Sequence, residues 1–369
     1  MVAAWAAKET NLELNHTRMI SLCAAGIVAA ACIAGTTFPK ADPVADSAVQ
    51  HGLKWLVSVQ GNDGGWGQDG GETSYVRQGE RLESKGNDVA NTAVAAAALL
   101  HAGNTPQSGP YRESLKRAVA FLLARVEQSP AEGLSITNVN GTQIQRKLGP
   151  FIDTFLTSKL LAELDGNMGD AKANARVRAA LEKCVAKIQK NQLQDGSWNT
   201  SGGWAPILGT AMASQSLDAA RKKGVAVAPQ TLARVDDYTR RSSNAPAAAA
   251  AGVSLYQGAQ ELEQLSRTEK DREKNKEQIK AITGKLSDSR FVTGFGSMGG
   301  EEFFSYLNIS DSLRRTGGPE WDKWNIEIKT KLVKLQNEDG TWAGHHCITG
   351  RVAVTGAAIL TLTAERERK

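Results

Sequence analysis

The sequence of 369 residues predicts an all-α fold: an α/α toroid of about six helical hairpins, with six inner helices in one ring and six outer helices around it. Three observations support this prediction. A short motif recurs at fixed offsets, charged stretches alternate with stretches rich in small residues, and the alternation continues through nearly all of the chain after residue 43. Such a repeat indicates an architecture built from one supersecondary unit, here a helical hairpin.

The recurring motif is a Gln, then Asp-Gly, then Trp, at identical offsets in three places. Its copies are Gln60, Asp63-Gly64 and Trp66; Gln192, Asp195-Gly196 and Trp198; and Gln336, Asp339-Gly340 and Trp342. We expect an amphipathic helix to end at each Gln, and the Asp-Gly pair to form a turn because Gly tolerates positive φ. The Trp would begin the return and, buried near the Gln amide, clamp one hairpin to its neighbour.

Two kinds of helical stretch alternate along the chain. The outer helices carry most of the Lys, Arg and Glu, and they are placed at 45–60, 111–127, 171–192, 229–242, 266–283 and 321–336. The inner helices are richer in small and apolar residues, and they are placed at 87–102, 149–164, 203–222, 246–264, 300–315 and 346–363. Small residues let helices approach closely, which suits the centre of a ring. Residues 43–369 are therefore predicted to form a single toroid domain.

The charge distribution argues against a nucleic-acid partner. The net charge of +5 results from 44 basic and 39 acidic residues spread along the chain. A concentrated stripe of Lys and Arg, which phosphate binding requires, is missing from the sequence. The densest charge run, 266–280, mixes both signs and is expected to be a solvated helix face.

Residues 1–42 form a predicted leader. Its apolar segment, 19–35, is uncharged and shorter than the roughly 20 residues of a comfortable membrane span. This is typical of a secretory signal, so we predict a location outside the cytoplasm: secreted, periplasmic or membrane-anchored. Three fates stay open: cleavage, retention as an anchor that associates with a membrane, or lipidation at Cys32, where the preceding Ala residues resemble a bacterial lipoprotein cleavage box. Translation would start at Met1 or at Met19.

The three motif copies resemble the Q-W repeats of the terpenoid cyclase and protein prenyltransferase superfamily. The resemblance implies a pocket at one end of the inner barrel and an apolar, isoprenoid-like small molecule as its ligand. Seven aromatic residues on predicted inner helices are candidates for lining this cavity: Phe151, Phe155, Trp204, Tyr256, Phe303, Phe304 and Tyr306. In cyclases such rings stabilise carbocations by cation–π contact; the alternative is that they pack between helices.

The segment from Asp88 to Val94 (DVANTAV) resembles the D-x-D-D-T-A segment that holds the protonating acid of squalene–hopene cyclases. The proton donor of that family is the middle Asp, matched here by Ala90, and its neighbour is matched by Asn91. Because a methyl group cannot donate a proton, the family's mechanism cannot start from this helix. Asp88 stays a candidate acid, with a helix N-cap as the alternative.

Asp153 and Glu301 complete the candidate catalytic residues. Asp153 lies on the second predicted inner helix, where burial in a cavity would raise its pKa. Glu301 begins the fifth inner helix after a glycine-rich loop. An acidic residue in a first turn is also favoured by the helix dipole, which is the alternative reading for Glu301.

No metal and no other cofactor is predicted. The resemblance to protein prenyltransferases implies a zinc ion held by an Asp, a Cys and a His from the ends of two inner helices, and His345, His346 and Cys347 stand at the start of the last one. No Asp-x-Cys pair stands at the preceding inner helix, so we interpret the string as a local turn. Cys347 and Cys184 are expected to be buried thiols, with a disulfide between them left open.

Two functions are compatible with these observations. The first is binding or transforming an apolar isoprenoid-like ligand in the central cavity, as the resemblance implies. The alternative is a non-catalytic extracytoplasmic binding or scaffold protein that retains the toroid without cyclase chemistry, and Ala90 at the donor position favours it. A deep apolar pocket with a carboxylate would support the first, whereas a filled or polar centre would support the second. No protein partner is assigned.

Overall fold

The computed structural model describes residues 42–69, 76–77, 80–81, 86–198, 206–244, 253–286 and 299–366. Ala41–Lys369 form one compact unit. Within the described residues there are fourteen α-helices, a short 3-10 helix (Ala364–Arg366) and an antiparallel pair of two-residue strands, β1 (Val76–Arg77) and β2 (Glu80–Arg81). The helices are α1 (Pro43–Ser58), α2 (Val89–His101), α3 (Arg112–Gln128), α4 (Gln143–Leu148), α5 (Ile152–Leu164), α6 (Ala171–Lys190), α7 (Pro206–Lys222), α8 (Pro229–Asn244), α9 (Val253–Leu265), α10 (Glu269–Lys274), α11 (Lys276–Leu286), α12 (Gly300–Thr316), α13 (Pro319–Leu335) and α14 (Arg351–Leu362).

The all-α prediction is confirmed, and the helices alternate between two layers. Each of the inner helices α2, α5, α7, α9, α12 and α14 contacts the next in this order, and α14 in turn contacts α2. The outer layer consists of α1, α3, α6, α8, α11 and α13, which pack against the inner helices, and of α10, which contacts α11. This circular order of contacts is consistent with an α/α toroid.

Every predicted helical stretch contains a helix, with two differences in detail. The fifth outer stretch, 266–283, contains two helices: a capping box of Thr268 and Asp271 starts α10, and Asn275, outside helical geometry, ends it just before α11. Helix α4 was not predicted. It begins at a capping box on Thr142 and ends at Gly149, which has φ 114°, and its six residues are too few to show a period.

Each copy of the Gln, Asp-Gly, Trp motif makes the same hydrogen bonds. The indole N–H donates to a main-chain carbonyl of the preceding helix: Trp66 to Leu56 at 2.8 Å, Trp198 to Ile188 at 2.6 Å and Trp342 to Leu332 at 2.7 Å. The Gln amide donates to the carbonyl of its own Gly and to that of the next outer helix: Gln60 to Gly64 and Ser114, Gln192 to Gly196 and Thr231, and Gln336 to Gly340 and Ala48. The Gln therefore makes the link between hairpins that we expected from the Trp.

The third copy joins the last outer helix to the first. Gln336 follows α13, and its Nε2 lies 2.8 Å from the carbonyl oxygen of Ala48 in α1. Gly340 has φ 86°, and a Cβ there would lie 2.8 Å from the carbonyl oxygen of His51, so only glycine fits this turn. Nearby, the N–H of Val352 donates to the carbonyl of Gln68 at 3.1 Å. The last hairpin thus packs directly against the first.

The inner helices form the core. In α12 every residue from Gly300 to Leu313 is buried, and in α14 every residue from Val352 to Leu362 is buried. A helix that is buried on all faces has neighbours on all sides. Both helices therefore lie in the interior of the fold.

Several predictions concern residues that the structure does not describe. The apolar segment 19–35 and Trp204 lie outside the described residues, and so does the side chain of Tyr256. Among the helices that are described, none combines the length and the apolar composition that crossing a bilayer requires. Cys184 is a buried free thiol and Cys347 a half-buried one.

Candidate functional site

Two buried carboxylates meet at the N-terminus of α2. Asp88 is the N-cap: its Oδ1 accepts from the N–H of Asn91 at 2.9 Å, and its Oδ2 accepts from Asn91 Nδ2 at 2.8 Å. Asp153, in the first turn of α5, accepts from the N–H of Ala90 at 3.1 Å and from Gln145 Nε2 at 2.8 Å. Asp88 and Asp153 thus bind neighbouring main-chain N–H groups of one helix end, and every carboxylate oxygen accepts a hydrogen bond.

Both carboxylates have raised pKa values. Burial, and next the negative charge of Asp153, raise the pKa of Asp88 to about 7. Burial raises the pKa of Asp153 to about 6, against the opposing effect of the hydrogen bonds from Gln145 and the main chain. The pair therefore takes up a proton close to neutral pH.

The hydrogen bonds decide what these acids can do. A general acid must direct its O–H at the reacting atom of a ligand. Here the oxygens of Asp88 and Asp153 face main-chain N–H groups and the amides of Asn91 and Gln145. This is the geometry of a helix cap, which was the alternative for Asp88.

A cavity of about 650 Å³ lies beside this helix end, against the connection between α3 and α4. Its lining residues include Asn87, Val89, Ile136, Val139, Phe151 and Leu193. Phe151 is one of the predicted cavity-lining residues. The lining includes both sequence neighbours of Asp88 but neither Asp88 nor Asp153, so the cavity lies beside the carboxylate pair and not over it.

Other predicted cavity-lining aromatics are buried and contact further aromatic rings. Phe155 lies edge-on to Trp198 with ring centroids 6.0 Å apart, and Phe303 lies edge-on to Tyr306 at the same separation. The hydroxyl of Tyr306 donates to Glu302 at 3.1 Å. Phe304 is also fully buried.

A polar network crosses the ring of inner helices. Lys159 Nζ on α5 lies 2.9 Å from Asp311 Oδ2 on α12, the second and fifth inner helices and hence on opposite sides. Gln215 Nε2 on α7 donates to Asn308 Oδ1 on α12 at 3.0 Å. Burial opposes ionisation of Asp311, but the charge of Lys159 and its hydrogen bond hold the Asp311 pKa below its usual value. Sequence reasoning missed this network, although polar residues inside a stretch otherwise rich in apolar ones were its signal.

Glu301 lies in a third cluster. It is in the first turn of α12, is only 3% exposed, and lies near His346 and Cys347 in the loop before α14. One potential ligand atom from each of the three residues lies within 4.8 Å of the others, an arrangement that could hold a metal ion. Burial, and next the charge of Glu301, raise the pKa of the Cys347 thiol, whereas nearby Lys147 opposes this effect.

Residues 29–147 match the family model of the squalene–hopene cyclase C-terminal domain. The matched part contains the first motif copy and the segment that begins at Asp88. The match supports the terpenoid cyclase and prenyltransferase superfamily for this chain, and with it a squalene-cyclase-like fold. No curated protein matches the chain.

Proposed function

We propose that this chain is a non-catalytic binding or scaffold protein that retains a squalene-cyclase-like fold without cyclase chemistry. The observation that carries the proposal is the polar network across the inner ring. Lys159 and Asp311 meet between opposite inner helices, so they would block an apolar isoprenoid chain that extended through the inner ring from the end where Asp88 lies. Admitting such a chain would separate a largely buried ion pair, which is strongly unfavourable.

Asp88 and Asp153, at the N-terminal ends of α2 and α5, support the same proposal. The position that matches the cyclase proton donor is Ala90, whose own N–H is bound by Asp153. Asp88 caps the helix with both of its oxygens. An acid in this arrangement stabilises α2, and protonating a substrate would require it to give up that role.

A binding function would use the cavity beside the N-terminus of α2, called the outer cavity below. Its volume of about 650 Å³ falls within the roughly 300–1,000 Å³ of ligand pockets. Apolar side chains such as Ile136 and Phe151 line it together with polar ones such as Asn138. This composition suits a small molecule that has an apolar body and a few hydrogen-bonding groups.

Chemical assays test the absence of cyclase activity. The purified full-length chain is incubated with squalene, with an active squalene–hopene cyclase as positive control, and the products are analysed by gas chromatography and mass spectrometry. Lipids extracted from the purified protein are analysed in parallel. We expect no cyclic product and no stoichiometric isoprenoid. A cyclic product whose yield falls in Asp88→Asn or Asp153→Asn would overturn the proposal.

A ligand screen tests the outer cavity. Asn138 is exposed and lines the cavity, so Asn138→Trp should fill part of it. Asn140 is equally exposed and is not a lining residue, which makes Asn140→Trp the matched control. Compounds that bind the wild-type chain in ligand-observed NMR should lose binding in Asn138→Trp and retain it in Asn140→Trp. Equal binding to both variants would exclude this cavity.

The proposal includes a location outside the cytoplasm. The support is the uncharged apolar stretch 19–35 of the sequence, preceded by Arg18. Alkaline phosphatase fused after residue 42 should be active if the leader directs export. An inactive fusion protein of normal abundance would count against export.

A further inference from the structure

We propose that Glu301, His346 and Cys347 form a zinc site that connects the N-terminus of α12 to the loop before α14. The three donors come from two segments that are far apart in the sequence and adjacent in the fold. Their ligand atoms lie within 4.8 Å of one another, and His346 Nδ1 is 3.1 Å from Cys347 Sγ. The proposal goes beyond the proposed function and does not depend on it.

The main chain holds the two segments together without a metal. The N–H of Gly300 donates to the carbonyl of His346 at 3.2 Å. A Cβ at Gly300 would lie 1.8 Å from the carbonyl oxygen of Ile348, so the close approach of the loop to α12 requires glycine. The donors are therefore placed by backbone packing, and binding a metal would not have to order the loop first.

An unpartnered buried oxygen points to a ligand. Glu301 is 3% exposed and its carboxyl group interacts with the Cys347 thiol, yet its Oε2 has no hydrogen-bond partner among the described residues. A buried carboxylate oxygen without a donor is costly, and a bound cation is one of the few ways to compensate it. The other two donors lie next to this carboxylate, so a cation bound by Glu301 would also reach His346 and Cys347.

The donor set favours zinc. One thiolate, one imidazole and one carboxylate are all common zinc ligands, whereas calcium and magnesium require sets of oxygen ligands. Zinc–ligand bonds of about 2.0–2.3 Å in a tetrahedron place donor atoms roughly 3.5 Å apart, which small side-chain rotations would achieve here. His346 is exposed, which gives the ion a path from solvent, and three protein donors leave a fourth position for water or a ligand.

The arrangement differs from the zinc site that the resemblance to prenyltransferases implies. There an Asp and a Cys stand together at one helix. Here α12 supplies only the acid, and the thiol and the imidazole are consecutive residues at the next inner helix. In this chain the ion would tie the fifth hairpin to the sixth and stabilise the folded state by mass action.

Metal analysis of the full-length chain tests the proposal directly. Protein purified under reducing conditions is stripped with a chelator, dialysed, and titrated with Zn²⁺ and, separately, with Co²⁺. We expect one zinc per chain by plasma mass spectrometry. Cobalt should produce a thiolate charge-transfer band and the strong visible bands of tetrahedral coordination. Zinc should also raise the melting temperature.

Matched variants assign the ligands. Glu301→Gln, His346→Ala and Cys347→Ser should each weaken zinc affinity by at least about 100-fold, because even residues that only support metal ligands contribute 10–100-fold. His345→Ala is the control, since His345 is the equally exposed neighbour outside the cluster. If Cys347→Ser does not fold, the nearly isosteric Glu301→Gln and the exposed His346→Ala decide the question. Less than about one-tenth of a zinc per chain in the wild type, or equal affinity in His345→Ala and His346→Ala, would overturn the proposal.

Discussion

Breaking the ion pair across the inner ring should destabilise the fold far more than breaking a pair on the surface. Lys159→Met keeps the length of the side chain and removes its charge, which leaves Asp311 without its hydrogen-bonded cation and with only the charges of Arg314 and Arg315 nearby. Removing one partner of a buried pair costs roughly 3–5 kcal/mol. Lys159 is 26% exposed and Asp311 10%, so water can partly replace the ammonium group. We therefore expect a loss of about 2–3 kcal/mol in the free energy of unfolding.

The double variant separates the interaction energy between Lys159 and Asp311 from the other contributions of each residue to stability. In Lys159→Met with Asp311→Leu, both charges of the pair are removed together, so the total loss should be smaller than the sum of the two single losses. A double-mutant cycle from urea denaturation followed by circular dichroism gives the coupling energy, which we expect to be at least about 1.5 kcal/mol. Lys190→Met is the surface control, because Lys190 and Glu132 are 61% and 77% exposed, and its unfolding midpoint should not change measurably.

The pH dependence provides a second readout. The Asp311 pKa is lower in the folded chain than its ordinary value, so its contribution to stability is present above that value. This contribution is lost as the pH falls through the folded-state pKa. If Lys159→Met lost no more stability than Lys190→Met, or if the cycle showed no coupling, then Lys159 and Asp311 would not form a buried, stabilising ion pair across the inner ring.

The remaining predictions concern the helix cap and the repeat motif. The pKa of Asp88 is raised to about 7, so its favourable effect on stability is present at low pH and is lost as the pH rises from about 4 to 7. Asp88→Asn can still cap α2 but cannot titrate. Urea melts of this variant should therefore show a flatter dependence of stability on pH across this range. An unchanged profile would mean that Asp88 does not titrate there. Gln336→Ala should cost about 1–2 kcal/mol because two hydrogen bonds are lost, whereas the exposed Gln194→Ala should have little effect in the same assay. Trp198→Ala should lower the free energy of unfolding by roughly 3–5 kcal/mol, and Trp198→Phe should lower it less because most of the packing remains. Similar melting temperatures for the wild type and Trp198→Ala would contradict the buried role of this indole.

Most of the architecture could be predicted from the sequence because its signals are local. The motif from Gln192 to Trp198 is a short continuous segment around one turn, and each copy of this motif makes the same hydrogen bonds in the structure. The contrast between charged and small residues separates outer from inner helices because burial follows side-chain chemistry. The division of the stretch 266–283 was missed because Asn275, where α10 ends, lies inside an apparently continuous run of charged residues.

The candidate site was predicted less completely because it depends on contacts between distant segments. Asp88 and Asp153 were both identified, but their shared position at one helix end follows from how α5 packs against α2. Likewise, Glu301 and the His346-Cys347 pair were weighed separately, since no sequence pattern shows that their segments touch.

The stabilising contacts of this fold are separate from its centre, and this explains how a squalene-cyclase-like ring can hold a polar network. The motif copies bind each outer helix to the next through main-chain carbonyls, as Gln336 does with Ala48. None of these bonds involves the residues that face one another across the inner ring. The ring therefore does not require an apolar filling, provided that the polar groups inside it are paired. Lys159 with Asp311 meets that condition, and Gln215 with Asn308 meets it in part, because Asn308 Oδ1 accepts from Gln215 Nε2 while Asn308 Nδ2 has no partner among the described residues.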